Sequence, residues 1–288
     1  MKKKRVLLGL LLIVLCTLAI SMSAFAKENV IKNKKWISGQ GCAYTDTDGD
    51  DELDYQDYGV TYYKFKIPRQ GYIMIDVKVS GVPGAKEYWK SAEEEDLSST
   101  TVEVLNSSGK KMLEESNLFS GKKGFTFSIA LKKGSYYLAV SSGQKYKIRY
   151  SFTAVKKTGK GGKGIRSAPA LRKQAVVKNL LFQTGKKRER SVAEHYYKIS
   201  LRQKTKIALV FDVSKLKTVS FGIPFVQIWV KEGKDYRTVD KNGKSHKKGD
   251  AYVWSVKGKD KITANLPEGT YYIRIFSLGS GYYTMQWK

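Results

Sequence analysis

Cysteine, histidine and proline are scarce in this chain: two cysteines, two histidines and five prolines occur among 288 residues. Cys16 lies in an N-terminal segment that is predicted to be removed, so Cys42 alone would remain and no intramolecular disulfide could form. A single thiol of this kind is either a small buried hydrophobe or pairs between chains. There is no HExxH or GxSxG pattern and no histidine cluster with zinc spacing, so we expect that the protein is not an enzyme.

Acidic residues are also few, since 26 Asp and Glu face 53 Lys and Arg, for a formal net charge of +27. The excess is uneven: residues 27–156 carry a net charge of +3, whereas residues 157–288 carry 29 basic and 9 acidic residues, a net charge of +20. Of the basic residues, 43 are lysine and 10 are arginine. Because lysine is a hydrated point charge and arginine the usual bidentate anion ligand, this balance favours a diffuse basic surface over a shaped anion pocket.

Long apolar runs are absent after the N-terminus. Residues 2–5 are basic, residues 6–20 are apolar, and residues 23–26 ("SAFA") end in the small residues of a cleavage site. The pattern predicts a signal peptide over residues 1–26. We therefore expect a secreted, extracellular protein with no transmembrane span in the mature chain, retained at the cell surface by its charge.

The remaining sequence is a tandem duplication, which appears as four pairs of similar blocks in the same order. The paired blocks are 61–80 with 195–214, 101–110 with 225–234, 131–140 with 266–275, and 146–150 with 283–287. Each block alternates apolar and polar residues and is rich in aromatic and β-branched types, as strands are. The pattern predicts an all-β protein of two tandem jelly-roll-like β-sandwich domains.

The predicted domains span residues 27–155 and 174–288. Residues 156–173 are rich in lysine and glycine and predict a flexible linker, so that the two domains move independently. Trp229, Trp254 and Trp287 fall on predicted strands and are expected in the core rather than on a sugar-binding surface.

The ordered blocks "YYKFKIPRQGYIMIDV", "VEVLNSSGK" and "LKKGSYYLAV", with a closing "YKIRY", resemble the bacterial pre-peptidase C-terminal domain. Both copies fit this outline. The resemblance implies a small jelly-roll-like sandwich that acts as a non-catalytic accessory module, and relatives on clostridial collagenases bind collagen and calcium. The sequence departs from the family's usual setting because no protease domain accompanies the two copies.

The stretch "DTDGDDELDYQD", residues 46–57, is strongly acidic in a basic chain. The spacing of its acidic side chains is typical of a loop that binds a hard cation such as calcium through oxygen atoms. The sequence resembles the D-x-D-G-D repeats of thrombospondin type 3. We predict one Ca²⁺ site there, formed by Asp46, Asp48, Asp50, Glu52, Asp54 and Asp57. The alternative is a solvated acidic loop. The same place in the second copy is basic, with the sequence "KKRER" at residues 186–190.

Two further groups of residues are candidate ligand contacts. The predicted polyanion-binding residues are Lys186, Lys187, Arg188, Arg190, Lys244, Lys247 and Lys248. Tyr88 and Trp89 form a candidate ligand-stacking pair, although they could equally cover the edge of the sandwich. Because the protein is expected outside the cell, we expect an extracellular glycan, a cell-wall polyanion or a matrix protein as partner, and no nucleic acid. The alternative function is an accessory or inhibitory partner of a separately encoded secreted protease.

Overall fold

The computed structural model describes residues 29–40, 60–80, 100–116, 124–143, 145–182, 192–217, 224–247 and 249–288. These residues form strands and one short 3-10 turn at Ile165–Ser167. The strands make two β-sandwiches in tandem, so the predicted fold class is confirmed.

The first sandwich consists of two sheets. Its strands are β1 (Asn29–Val30), β2 (Ile37–Gly39), β3 (Thr61–Ile67), β4 (Gly71–Ser80), β5 (Thr100–Asn106), β6 (Lys111–Ser116), β7 (Gly124–Leu131), β8 (Gly134–Ser142) and β9 (Lys145–Ala154). Sheet I has the order β1-β3-β8-β5-β6, and sheet II has the order β2-β9-β4-β7.

The second sandwich repeats this plan. Its strands are β10 (Val176–Leu181), β11 (Ala193–Leu201), β12 (Thr205–Lys215), β13 (Phe225–Glu232), β14 (Asp235–Thr238), β15 (Trp254–Ser255), β16 (Lys259–Leu266), β17 (Gly269–Ser277) and β18 (Gly281–Trp287). Sheet III has the order β11-β17-β13-β14, with β15 beside β13, and sheet IV has the order β10-β18-β12-β16. Apart from β1 and β15, the order of strands in the first sandwich is therefore reproduced in the second.

Alternation of side chains along the strands builds each core. In β12, for example, Ile207, Leu209, Phe211 and Val213 are buried, while the residues between them are at least partly exposed. Each sandwich has its own cluster of buried apolar side chains between its two sheets. Such burial contributes about 25 cal/mol per Å² of apolar surface, which is the main stabilising term for a domain that has no disulfide.

Buried tyrosines confirm the structural equivalence of the two copies. Tyr63 on β3 and Tyr146 on β9 join the two sheets of the first sandwich, with their hydroxyl oxygens 2.9 Å apart. In the second sandwich, Tyr197 and Tyr283 occupy the matching positions, with their hydroxyl oxygens 2.5 Å apart. The same contact between sheets was thus kept after duplication, because an unpaired hydroxyl in a core is costly.

The structure differs from the predicted flexible linker at residues 156–173. This segment, which we call the strap, lies along the second sandwich. Its backbone N–H groups at Thr158, Gly162 and Leu171 donate to carbonyls of β10 or β11 at 3.1, 2.9 and 2.7 Å. The Leu171 side chain is buried in the second core. The backbone groups of β10 and β11 at these edges therefore have partners in the strap, which satisfies hydrogen bonds that water would otherwise supply.

The two sandwiches also meet directly, whereas the sequence predicts independent domains. The Ser128 hydroxyl of β7 donates to the carbonyl of Ser280 at 2.8 Å, and the Ser280 hydroxyl accepts from the Ala130 N–H at 2.9 Å. Both serines are fully buried. Apolar side chains from both sandwiches, and Val155 just before the strap, surround this contact: Tyr72, Met74, Ala130, Val155, Leu180, Phe182 and Tyr282. Part of the outer surface of sheet II therefore packs against part of the outer surface of sheet IV.

Candidate functional site

Most of the sequence-predicted site residues lie outside the described residues. These are Asp46, Asp48, Asp50, Glu52, Asp54, Asp57, Tyr88, Trp89, Lys186, Lys187, Arg188, Arg190 and Lys248. Within the described ranges, no group of three or more His, Cys, Asp or Glu side chains is arranged to hold a metal ion. The calcium prediction therefore depends on the sequence of the acidic loop alone.

Lys244 and Lys247 are the predicted polyanion ligands that the structure does describe. Both are exposed in the segment between β14 and β15. Lys244 is fixed by its backbone, since its N–H donates to the Asp240 carboxylate at 3.0 Å and its carbonyl accepts from the Asp240 N–H at 3.0 Å. The turn therefore holds the backbone of Lys244 and leaves its side chain at the surface.

Sequence reasoning missed a cluster of aromatic side chains on the outer surface of sheet III. The apolar core positions of β13 are Val226, Ile228 and Val230, so the residues between them face outward. The cross-strand register extends this outward row over β11, β17 and β14. The aromatic face, as we call it, comprises Tyr196, Phe225, Trp229, Tyr236, Tyr272 and Phe276.

The rings of the aromatic face contact one another between strands. Phe225 and Phe276 stack with their centroids 5.5 Å apart, and Tyr236 meets Tyr272 edge-on at 5.6 Å. Trp229 lies directly opposite Tyr272 in the register of β13 and β17. All six residues are partly exposed rather than buried. The rings thus include two contacting pairs, one on either side of Arg274 along β17, and the surface is still in contact with solvent.

Arg274 occupies the centre of the aromatic face, where its polar contacts are satisfied. Its guanidinium donates to the Glu194 carboxylate at 2.7 and 2.6 Å and to the Gln227 side-chain oxygen at 3.0 Å. The same group stacks on the Phe276 ring at 4.1 Å. The side chain of Arg274 is only 22% exposed, and Gln227 is buried. These contacts hold one cation, one carboxylate and one amide in fixed positions among the rings.

Trp229 was expected in the core, and the structure shows that this expectation is wrong. Trp254 and Trp287 do pack against the second core, as predicted. The Trp229 ring instead lies on the outer surface, and its indole N–H, shielded from solvent, has no acceptor among the described residues. A donor that is shielded from solvent and has no acceptor costs free energy, so the outward placement of Trp229 is not explained by hydrogen bonding within the fold.

The first sandwich shows that the fold does not need the aromatic face. The matched blocks place Thr101, Leu105, Ala139 and Ser141 where the second copy has Phe225, Trp229, Arg274 and Phe276. Both copies form the same sheet with the same strand order. Because these four replacements are not required for folding, they point to a role that belongs to the second sandwich.

The histidines do not form a catalytic arrangement with the described residues. His195 on β11 faces inward, with its Nδ1 2.8 Å from the Tyr283 hydroxyl, and the strap covers it. Burial, together with the positive charge of Lys157, lowers the pKa of His195 to about 4. His246 stacks on Tyr252 and lies 3.9 Å from the Asp240 carboxylate. Neither imidazole approaches a serine or cysteine nucleophile within the described ranges, as nucleophilic catalysis would require.

The described residues include no helix long and apolar enough to cross a membrane. A scan against protein-family models found no match, and no curated protein matches the chain. The resemblance to the pre-peptidase C-terminal domain and to thrombospondin repeats therefore stays a prediction.

Similar solved structures exist at low sequence identity. The match to tripeptidyl peptidase 2 has 11% sequence identity and a TM-score of 0.27. It covers 91% of this chain but only 24% of the peptidase chain. The tandem CBM51 modules of a family 98 glycoside hydrolase from Streptococcus pneumoniae are 10% identical with a TM-score of 0.21, covering 83% of this chain and 85% of that one. The match to the CBM22 tandem of Paenibacillus barcinonensis Xyn10C has 11% sequence identity and a TM-score of 0.19, and it covers 78% of this chain and 82% of that one. TM-scores this low carry no functional argument.

Proposed function

We propose that this chain is an exported, non-catalytic protein whose second sandwich binds an extracellular glycan through the aromatic face. Sugar rings present C–H surfaces that stack on aromatic rings, and their hydroxyls need fixed hydrogen-bonding groups around them. The aromatic face combines both features, with Arg274, Glu194 and Gln227 held among the rings. The observation that carries the proposal is that the first sandwich, which has the same fold, lacks counterparts of Phe225, Trp229, Arg274 and Phe276.

Export is supported by the N-terminal pattern of residues 1–26. The absence of catalysis is supported by the buried, neutral state of His195 and by the lack of the motifs that hydrolases use. The proposed role is that of a binding module that attaches to a polysaccharide outside the cell.

A polysaccharide-binding assay on the purified full chain tests this proposal. We expect the protein to be retained by at least one of a panel of insoluble cell-wall and matrix polysaccharides. Tyr272→Ala should weaken that retention by about tenfold or more, because single aromatic residues at the centre of a binding surface dominate affinity. Circular dichroism and the unfolding midpoint would show that the variant still folds.

The duplication supplies a matched control for this experiment. Tyr137 occupies the position in the first sandwich that Tyr272 occupies in the second, on the outer surface of sheet I. Tyr137→Ala should leave glycan retention within about twofold of the parent, because the first sandwich has no counterparts of Phe225, Trp229, Arg274 and Phe276. Equal losses in both variants, or no retention of the parent chain on any polysaccharide, would reject the aromatic face as the binding site.

We also propose that the acidic loop of the first domain binds one Ca²⁺, on the strength of its ligand spacing. An ion bound only to the folded state should stabilise that domain by about 2.7 kcal/mol when free calcium is about 100 times the dissociation constant. Calorimetric titration of the full chain should show one binding event, which Asp46→Ala together with Asp50→Ala abolishes.

A second acidic stretch in the first domain, "EEED" at residues 93–96, provides the control, because Glu93→Ala with Glu94→Ala removes the same charge elsewhere in that domain. That pair should leave the titration unchanged. If titration with calcium produces no heat of binding and no shift of the unfolding midpoint, the acidic loop is solvated and does not bind a metal ion.

A further inference from the structure

We propose that the part of the outer surface of sheet IV that does not pack against the first sandwich is a docking surface for a linear polyanion whose charges are phosphate groups, such as an anionic cell-wall polymer. Four lysines define this surface, which we call the lysine face: Lys178, Lys206, Lys259 and Lys261. It lies on the opposite side of the second sandwich from the aromatic face, so the two sites are separate. The inference goes beyond glycan binding and does not depend on it.

The strand register places the four lysines on one surface. Lys206 follows the outward row of β12, whose inward row is buried. In β16, Lys259 and Lys261 alternate with the buried side chains of the core, and Lys178 does so in β10. All four are exposed. Since neighbouring strands lie about 4.8 Å apart, the four-stranded sheet spreads these charges over a width of about 14 Å.

The positive charge of the lysine face is only partly compensated by the described residues. No carboxylate of the described ranges comes within salt-bridge distance of these four ammonium groups. Asp212 is the acidic residue in the same outward rows, opposite Lys259 in the register. Burial acts to raise the pKa of the Asp212 carboxyl, but hydrogen bonds from Ser214 and the charges of Lys259 and Lys215 outweigh it and lower that pKa. The carboxylate of Asp212 therefore offsets only part of the positive charge of the four exposed lysines.

The side chains between the lysines are neutral and mostly polar. Thr284 and Gln286 of β18 lie in register with β10 and β12, and Thr263 and Asn265 of β16 continue the same rows. Hydroxyl and amide groups of this kind can donate hydrogen bonds to phosphate oxygens between the charges. The alternation of lysines with neutral polar side chains therefore suits a phosphate polymer that lies across the strands of sheet IV.

The described outward rows of sheet IV offer no aromatic ring for stacking on the lysine face, which argues against nucleic acids and membranes as the partner. Single-stranded nucleic acids bind basic surfaces on which aromatic side chains stack with the bases, and membrane surfaces are bound with aromatic or large apolar anchors. In the described outward rows of sheet IV, the aromatic residue is Tyr282, and its ring stacks on Tyr72 in the contact between the sandwiches at 5.7 Å. The lysine face thus offers charge and hydrogen bonds without a stacking platform.

The first copy lacks the four lysines. The matched positions on sheet II hold Ser38, Tyr72, Gly124 and Thr126. That surface carries cations at other positions: Arg149 pairs with Asp76 at 2.9 Å and stacks on Trp36 at 4.6 Å, and Lys78, Lys145 and Lys147 are exposed. The arrangement of four lysines over β10, β12 and β16 therefore belongs to the second copy.

Binding of end-labelled, long-chain inorganic polyphosphate to the full chain tests the proposal by fluorescence anisotropy at several salt concentrations. The variant K178Q/K206Q/K259Q/K261Q should bind about tenfold or more weakly at low salt. The magnitude of the slope of log K against log salt should fall by about 3, since each of the four phosphate contacts contributes about 0.7–0.9. An unchanged unfolding midpoint would show that the variant is folded. If it does not fold, K178Q/K206Q and K259Q/K261Q are tested separately, each with about a threefold loss expected.

The control variant K163Q/K231Q/K234Q/K241Q removes the same charge from exposed lysines of the strap, of β13 and of loops of the second sandwich outside sheet IV. It should change affinity by less than about twofold to threefold, because screened charges act weakly at a distance. Three results would overturn the proposal: an equal loss in this control, a loss confined to variants of residues 186–190, or equally tight, lysine-face-dependent binding to phosphatidylglycerol vesicles.

Discussion

Gly161→Ala is expected to lower the free energy of unfolding of the second sandwich by about 1–3 kcal/mol, the usual cost of forcing extra volume into a packed site. A Cβ at Gly161 would lie 2.3 Å from Cγ of His195, a distance that neither group can tolerate without moving. The strap would have to lift away from β11. Chemical denaturation of the full chain, followed by a probe in the second sandwich, measures the loss.

Gly164→Ala is the matched control, since an added Cβ there meets no atom within 4 Å. This change should leave stability equal or raise it by at most about 1 kcal/mol, because alanine restricts the unfolded chain more than glycine does. A strap that were flexible, as the sequence predicts, would respond equally to both substitutions. Identical unfolding curves for the two variants would therefore reject the docked strap.

Acidification from neutral pH to pH 4 is expected to destabilise the second sandwich by about 3 kcal/mol through His195 alone. The folded-state pKa is about 4, whereas the unfolded chain protonates this imidazole near pH 6.5. Above pH 6.5 both states are neutral and the group has no effect. As the pH falls from 6.5 to 4, the unfolded state gains a proton that the folded state resists, so stability decreases across this window.

Denaturant titrations at pH 7, 6 and 5 measure this dependence before most carboxylates protonate. His195→Thr introduces the residue that the first sandwich has at the matched position, Thr61. The variant should lose most of the decrease in stability over this range, whatever its stability at pH 7. His246→Thr removes the other histidine and should retain the decrease that His195 causes. If His195→Thr keeps the full pH dependence, the imidazole is not the buried neutral group described above.

The sequence alone determined the duplication and the β-sandwich class, because alternation with a period of two and repeated turn glycines are local properties. It also predicted that Trp254 and Trp287 pack against the core. The alternation of "FVQIWV" was ambiguous at Trp229, since both sets of alternate residues in this stretch contain apolar or aromatic side chains. Only the pairing of β13 with β17 decided that Val226, Ile228 and Val230 face inward and Trp229 outward.

Tertiary structure likewise decided the strap and the two binding surfaces. The glycines of residues 156–173 predict a flexible linker from the sequence. In the structure, the missing Cβ at Gly161 instead permits close packing on His195. The lysine face comes from strands that are up to about 80 residues apart in the chain, and the aromatic face from four strands that are equally scattered. Which distant strands lie side by side, and in which register, depends on long-range pairing that local patterns do not encode.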